Sequence, residues 1–144
     1  MSRLPTFAFY SLKLGLLLLA GCSRTPADRL PVFPVEGQVL WEGRPLAGAL
    51  VIFHPQGGGP KAPHPTGYAD KEGKFRLTTY TKQDGAPAGP YSVTVEWRQL
   101  VIRGEDVQCS DNLVPACYAS SATTTLMARV KQQATAVPSL VLRR

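Results

Sequence analysis

The feature that most restricts the fold is a strict two-residue alternation in the second half of the chain. Between Tyr91 and Trp97 the sequence reads YSVTVEW, in which aromatic or valine residues alternate with serine, threonine and glutamate. Successive side chains of a β-strand point to opposite faces, so the pattern predicts a strand with one buried and one solvated face. The segment Phe75–Thr79 (FRLTT) repeats this pattern. Half-buried strands of this kind are typical of antiparallel sheets.

Glycine and proline separate the predicted strands. The chain has 13 of each among its 144 residues, and neither is well tolerated inside a helix. Turn sequences recur at Glu42–Pro45 (EGRP), Asp70–Gly73 (DKEG) and Asp84–Pro87 (DGAP). This punctuation excludes a helical bundle or coiled coil, whereas a hydrophobic content of 44% is enough for a packed core.

About seven short strands are predicted. The apolar run Leu46–Phe53 predicts a central strand, and Val35–Trp41 predicts a first strand that is interrupted at Gly37. The segments Leu126–Val130 and Leu140–Leu142 supply the last two strands. About seven short strands at this spacing predict an all-β fold, either an antiparallel β-sandwich with an Ig-like layout or a β-barrel.

The first 21 residues have the features of an export signal. Arg3 and Lys13 precede the apolar block Leu14–Ala20, which is too short to span a bilayer. The block ends in LAGC, which resembles the lipobox of bacterial lipoproteins. The resemblance implies that the signal is cut before Cys22, that the Cys22 thiol receives a diacylglyceryl group, and that the lipid holds the protein on a membrane. Because Ser23 rather than an aspartate follows, the outer membrane is favoured over the inner membrane.

Three regions are therefore expected. Residues 1–21 form the lipoprotein signal peptide, residues 22–34 form the lipidated cysteine with a tether, and residues 35–144 form the β-sandwich domain. The tether contains three prolines in SRTPADRLPVFP, which predicts a stiff extended spacer of roughly 35 Å.

The charge balance is mildly basic. The formal net charge is +6, and loss of Arg3 and Lys13 with the signal would leave +4. Nucleic-acid binding usually needs a basic stripe, whereas the basic residues here are scattered. We therefore expect no nucleic-acid partner.

Three longer stretches carry a family resemblance. They are VEGQVLWEGRPLAGALVIFHP from Val35, GYADKEGKFRLTTY from Gly67 and PAGPYSVTVEW from Pro87. They resemble the transthyretin-like, carboxypeptidase-regulatory-like domain, a seven-strand β-sandwich on many exported bacterial proteins. The tail NLVPACYASSATTTLMARV further resembles a subfamily of small lipoproteins, although Cys117 stands where a basic residue is usual. These are turn and core motifs, so the resemblance implies the fold and says little about activity.

Few residues suggest chemistry. His54 and His64 are candidate metal ligands, but zinc needs three or four converging ligands and no third is evident. Asp70 lies in a turn with too few acids for calcium. We therefore expect no catalytic residue, no metal and no cofactor.

Aromatic and glycine-rich segments have simple structural interpretations. Trp41, Trp97 and Tyr80 are candidates for a sugar-stacking face, but both tryptophans fall on the inward phase of their strands, which favours a place in the core. The glycines of Gln56–Lys61 lack the following helix that a phosphate-binding loop needs.

Cys109 and Cys117 are candidates for a disulfide. Lipidation would consume Cys22, and export to an oxidising compartment would leave this pair free to bond. Closing a loop of this length contributes roughly 2.5 kcal/mol. The alternative is two free, buried thiols.

The expected function is a non-catalytic structural or binding module, anchored in the cell envelope by the lipid on Cys22. Loops Gln56–Pro65 and Arg98–Pro115 are the expected contact surface for an envelope protein or polysaccharide, because loops cluster at the ends of a sandwich. The alternatives are a periplasmic small-molecule carrier and a metal-dependent hydrolase that uses His54, His64 and Asp70. The sequence leaves the oligomeric state open.

Overall fold

The structure is a computed structural model that describes residues 28–144. The predicted signal peptide, Cys22 and the first part of the predicted tether lie outside the described residues. The described part consists of short strands and one helical turn: β1 (Val32–Phe33), β2 (Val35–Trp41), β3 (Arg44–Pro45), β4 (Leu50–Pro55), β5 (Thr66–Tyr68), β6 (Lys74–Arg76), β7 (Ala86–Pro87), β8 (Gly89–Glu96), β9 (Leu100–Arg103), β10 (Asp106–Cys109), α1 (Ala116–Ala119), β11 (Met127–Val130), β12 (Thr135–Ala136) and β13 (Leu140–Leu142).

Two sheets face each other. One has the order β11-β8-β4-β5 and is antiparallel throughout. In the other, β2 is central, with β6 and β3 antiparallel along one edge and β12 and β13 parallel along the opposite edge. Strands β6 and β3 follow one another along one edge of β2, and β12 and β13 follow one another along the other edge, so each pair can be counted as one interrupted strand. Counted in this way, the two sheets have four and three strands. The predicted all-β sandwich is confirmed, and the parallel edge is a feature that the sequence did not indicate.

The core lies between the sheets. Phe53 of β4 is fully buried, and its ring packs against Phe75 and Tyr91 at centroid distances of 6.3 and 5.5 Å. Val93 and Val95 of β8 are also fully buried, as their alternation predicts. The remaining large buried side chains come from β2, β4, β11, β13 and the segments between strands: Val35, Val39, Leu46, Val51, Leu77, Val114, Val130, Val137, Leu140 and Leu142.

The predicted interruption of the first strand at Gly37 is wrong. Strand β2 runs without a break from Val35 to Trp41, and Gly37 pairs with Phe75 of β6. A Cβ atom at Gly37 would lie 2.5 Å from Cγ2 of Val137 and 2.6 Å from Cζ of Phe75. Glycine is therefore needed for close packing over the strand, not for a turn.

The polar face of β8 is more buried than alternation predicts. Ser92 is 9% and Thr94 only 2% exposed. The imidazole of His54 lies 2.8 Å from the Thr94 hydroxyl, and the Gln56 amide donates to the Ser92 hydroxyl at 3.2 Å. Because His54 and Gln56 pair with the two hydroxyls, β8 can be buried on both of its faces.

The chain enters the sandwich at one end. Strand β1 pairs with β7, so Val32 and Phe33, the last residues of the predicted tether before Pro34, are part of the fold. The Leu30 amide donates to the Tyr80 hydroxyl at 3.1 Å, and the Arg29 guanidinium lies 4.9 Å from the centre of the Tyr80 ring. We call this end, where β2 and β8 begin, the near end.

The opposite end of the sandwich is formed where β2, β8 and β13 finish. Trp41, the last residue of β2, pairs with Leu142 of β13. Strand β8 ends at Glu96 and leads through Trp97 into the β9–β10 hairpin. We call this the far end; seven residues of β2 separate it from the near end by roughly 20 Å. No helix within residues 28–144 is long and apolar enough to cross a membrane.

Candidate functional site

The far end carries the β9–β10 hairpin, where a contact loop was predicted between Arg98 and Pro115. The four residues of β9 pair with the four residues of β10, with Leu100 opposite Cys109 and Ile102 opposite Val107. The turn between the strands contains Gly104 at φ 67°, a backbone conformation that glycine adopts without strain. The segment is therefore an ordered hairpin that extends β8.

Side chains fix the base of the hairpin. The Trp97 amide donates to Oδ1 of Asn112 at 2.8 Å, and the Leu113 amide donates to the Trp97 carbonyl at the same distance. The Gln99 amide donates to the Ser110 hydroxyl at 3.0 Å, and the Ser110 amide donates to the Gln99 carbonyl at 2.8 Å. These bonds join the chain segment before β9 to the segment after β10.

The hairpin has two chemically different faces. Leu100, Ile102, Val107 and Cys109 share one face, because cross-strand partners in an antiparallel ladder point the same way. Leu100 and Ile102 are each 74% exposed and Val107 is 63% exposed. The opposite face carries two more pairs, Val101 with Gln108 and Arg103 with Asp106. We call the first of these the apolar hairpin face.

A groove adjoins the base of the hairpin. Its volume is about 440 Å³, and it is lined by Trp41, Trp97, Leu113, Val114, Pro115 and Arg144. The Trp97 indole is held in place, since Nε1 donates to the Ala47 carbonyl at 3.0 Å. The groove and the apolar hairpin face together form what we call the far-end surface.

The structure places the three candidate stacking aromatics in two locations. Trp41 and Trp97 are partly buried, pack against the core and also line the far-end groove. Tyr80 lies at the near end beside Arg29. The three rings therefore do not form a common face, and the tryptophans combine the predicted core role with partial exposure.

The two histidines come together, but not with a third ligand. The rings of His54 and His64 lie 5.1 Å apart between centroids. Burial, and then the neighbouring His64, lower the pKa of His54, so its imidazole is neutral at neutral pH. Within residues 28–144 no group of three or more His, Cys, Asp or Glu side chains is placed to hold a metal ion.

Asp70 does not join the histidines; it shapes the turn before β6. Its Oδ1 accepts hydrogen bonds from the amides of Glu72 at 2.8 Å and Lys74 at 2.9 Å. This is the Asx-turn role that its sequence context predicts. Lys74 and Glu72 form an exposed ion pair at 3.0 Å, which contributes little to stability.

Cys109 and Cys117 are both exposed and carry free thiols in the structure. Cys109 ends β10 and Cys117 lies in α1. The alternative of buried thiols is therefore wrong for both residues, while the disulfide stays a prediction for the exported, oxidised protein.

We expect thiol titration of the denatured, non-reduced protein to find neither Cys109 nor Cys117 reactive. Two reactive thiols from this pair would refute the disulfide. Reduction before titration is the control and should release both.

Of the two predicted contact loops, Arg98–Pro115 contains the hairpin of the far-end surface, whereas Gln56–Pro65 lies beside Leu30 and Pro90 at the near end. Their role as contact surfaces stays a prediction, and sequence reasoning did not single out the exposed residues of the hairpin segment. The segment reads LVIR, then Gly-Glu, then DVQC. Two short β-prone runs around a glycine turn are a hairpin signal. The signal was available, but Leu100, Ile102 and Val107 acquire meaning only once pairing places them on one face.

Comparisons with known proteins find a likeness only among solved structures. No model of a known protein family matches the chain, and no curated protein matches it. A 9R-lipoxygenase from Cyanothece PCC8801 aligns with a TM-score of 0.43 and 12% identity over 78% of this chain and 16% of the lipoxygenase. A protein from Pseudomonas aeruginosa described as a "putative carbohydrate binding protein" aligns with a TM-score of 0.43 and 13% identity over 80% of this chain and 90% of that protein. At these scores neither likeness bears on the function of this chain.

Proposed function

We propose that this chain is a lipid-anchored protein of the cell envelope whose β-sandwich is a non-catalytic binding module. The lipid on Cys22 would hold it on a membrane, preferably the outer membrane, and the far-end surface would meet the partner. The observation that carries the proposal is the location of exposed apolar side chains. Leu100, Ile102, Val107 and Leu113 lie at the end of the sandwich opposite the chain entry. A contiguous exposed apolar surface is typical of an interaction site.

The partner that fits best is another envelope protein. Aliphatic side chains dominate the far-end surface, with Trp41, Trp97 and Arg144 in the adjoining groove. Tryptophan and arginine are enriched at energetically important positions of protein interfaces. A polysaccharide is the alternative, because the half-exposed indoles offer apolar ring faces, but a saccharide also needs several polar groups to pair with its hydroxyls.

A non-catalytic role is supported by how the candidate chemical groups are used. Asp70 shapes a turn, and His54 contacts a buried threonine hydroxyl. A small-molecule carrier would need an enclosed cavity, whereas the space between the two sheets is occupied by core side chains such as Phe53 and Leu77. A hydrolase that uses His54, His64 and Asp70 is disfavoured because Asp70 bonds to its own turn.

The test combines the anchor with the contact surface. Mass spectrometry of the native N-terminus should show an acylated Cys22, and Cys22→Ala should remove the protein from the membrane fraction. In intact cells, a photo-crosslinking residue at Leu113 should capture a second envelope component, while the same residue at the exposed near-end Lys82 should not. An unacylated N-terminus contradicts the anchor. Equal capture from both positions, or capture of nothing but another copy of this chain, contradicts the proposed binding role.

A further inference from the structure

The near end of the sandwich collects basic side chains that are far apart in the sequence. Arg129 pairs with Pro90 at the start of β8, and Lys131 follows two residues later. Lys82 lies in the turn that leads into β7, and Lys61 lies in the loop beside Leu30 at the chain entry. The basic residues of the near end are Arg29, Lys61, Arg76, Lys82, Arg129 and Lys131. The topology therefore brings together charges that look scattered along the chain.

The net charge of the described residues lies entirely at the near end. Residues 28–144 contain 13 basic and 10 acidic side chains, because three of the 16 basic residues precede Asp28. The near end has six of the basic side chains and three of the acidic ones, which are Asp28, Glu36 and Asp84. The remaining charged side chains are seven basic and seven acidic, so they balance. The sandwich is therefore positive at one end and formally neutral elsewhere.

The acidic groups of the near end are engaged within the fold. Asp84 accepts hydrogen bonds from three backbone amides of its own turn. Glu36 lies 3.8 Å from Arg76, with which it pairs. In contrast, neither Arg129 nor Lys131 forms an ion pair within residues 28–144. The positive charge of these two residues is thus available to an outside anion.

A groove at the near end brings Arg129 and Lys131 together. Its volume is about 760 Å³, and residues of both β11 and β12 line it. The polar residues of the lining are Gln56, Arg129, Lys131, Gln133 and Thr135, and no acidic residue contributes to it. Guanidinium and ammonium groups form strong, charge-assisted hydrogen bonds with phosphate oxygens. The chemistry of the groove therefore suits a phosphate group.

The chain entry places this end close to the anchor. Arg29 contacts the Tyr80 ring, the Leu30 amide bonds to the Tyr80 hydroxyl, and β1 pairs with β7. Only residues 22–28 therefore separate the lipid from the folded domain, and seven residues extend to at most about 25 Å. A fully free tether would reach roughly 35 Å. Of the two ends of the sandwich, the near end is the one that lies against the membrane.

Building on the lipid anchor of the proposed function, we propose that the near end docks on anionic phospholipid headgroups of the membrane that holds the Cys22 lipid. A lipid phosphate binds Arg129 and Lys131 in the groove, and the other basic side chains of the near end face the surface. Anionic leaflets attract basic residues that lie within a Debye length of about 8–10 Å. Docking in this orientation directs the far-end surface away from the bilayer, towards its partner.

A lipid surface fits these observations better than a dissolved polyanion does. The anchor keeps headgroups at a high effective concentration beside the near end, so that weak electrostatic contacts suffice. A polyanion would have to be captured from solution without that advantage. The charge excess is also small, which suits a contact that orients a protein already held on the membrane.

Protection of native lysines tests the docking. The acylated full chain is reconstituted in neutral phosphatidylcholine vesicles and in vesicles with about one third phosphatidylglycerol, and acetylation is followed by mass spectrometry. Relative to Lys71, an exposed lysine outside the near end, Lys82 and Lys131 should react about fivefold more slowly on the anionic vesicles. Salt at about 1 M shortens the Debye length to about 3 Å and should remove this protection.

Two charge-reversal variants locate the contact. Arg129→Glu with Lys131→Glu should return the acetylation rate of Lys82 on anionic vesicles to its value on neutral vesicles. Arg44→Glu with Arg143→Glu makes the same change in net charge at the far end and is the matched control, in which Lys82 stays protected. All four positions are exposed, so the thermal unfolding midpoints should stay close to wild type.

Three results would overturn the docking. They are equal acetylation of Lys82 on neutral and anionic vesicles, protection that survives at high salt, and loss of protection in the far-end control. Equal protection of Lys82 on neutral vesicles by a soluble anionic polysaccharide would assign the basic end to that polymer instead. Protein that stays on both kinds of vesicle without protection overturns the docking and leaves the anchor intact. Release of the protein from neutral vesicles overturns the anchor, and the docking with it.

Discussion

Replacement of Phe53 by alanine should lower the free energy of unfolding by about 3–5 kcal/mol. Phe53 is fully buried at the centre of β4, which is the inner neighbour of β8 in the four-stranded sheet. Its ring contacts Phe75 of the other sheet and Tyr91 of the neighbouring strand. The substitution therefore loses the transfer free energy of the ring and leaves a cavity between the two sheets, where rigid strands limit collapse.

Chemical denaturation followed by intrinsic fluorescence measures the change. Tyr68→Ala is the matched control, because Tyr68 is an aromatic residue of the adjacent strand β5 that is 71% exposed. We expect that control to change stability by no more than about 0.5 kcal/mol. If Phe53→Ala costs less than the control, Phe53 does not lie between the sheets and the sandwich described here is wrong.

Alternation predicted the core because each strand carries its own burial pattern. Phe75, Val93 and Val95 could be assigned to a buried face without knowledge of their neighbours, since period two is a local property of the chain. The same reasoning wrongly predicted a strand interruption at Gly37. Glycine is needed there because Phe75 and Val137, which are distant in the sequence, approach it closely. Local patterns identify faces, whereas close approach between faces depends on the assembled sheets.

The candidate site was less predictable for the same reason. Trp41 and Trp97 are separated by more than fifty residues, and they share a groove only because β2 and β8 end at the same end of the sandwich. His54 and His64 likewise meet through the return of the Gln56–Pro65 loop. The parallel pairing of β13 with β2 also places Arg144 at the groove. Composition and spacing carry no signal for these three arrangements.

The turn that follows β6 depends on one carboxylate. Asp84 accepts hydrogen bonds from the amides of Thr79 at 2.7 Å, Tyr80 at 3.0 Å and Thr81 at 2.9 Å. Burial by itself would raise the pKa of Asp84, but these amides favour the ionised form and together lower the pKa below its ordinary value. The turn carries the chain to Gly85, whose own amide donates to the Leu77 carbonyl at 3.0 Å. Asp84 therefore positions β7, on which β1 and the chain entry depend.

Replacement of Asp84 by alanine should lower the free energy of unfolding by about 2–4 kcal/mol, because three amides lose a charged acceptor and water replaces it only in part. The pH dependence follows from the lowered pKa of Asp84. As the pH falls, the Asp84 carboxylate of the unfolded wild-type chain is protonated before that of the folded chain. The stabilisation by the Asp84 charge is therefore complete above about pH 4 and is lost as the pH falls below that value towards the pKa of the folded state. Urea denaturation at pH 7 and at pH 3 should therefore show a smaller difference in the free energy of unfolding between wild type and Asp84→Ala at the lower pH.

Asp111→Ala, at an exposed aspartate of the far end, is the control and should match the wild type at both pH values. A difference between wild type and Asp84→Ala that stays equal at pH 7 and pH 3 would show that the side chain acts through its shape and not through its charge, because alanine removes both while protonation removes only the charge.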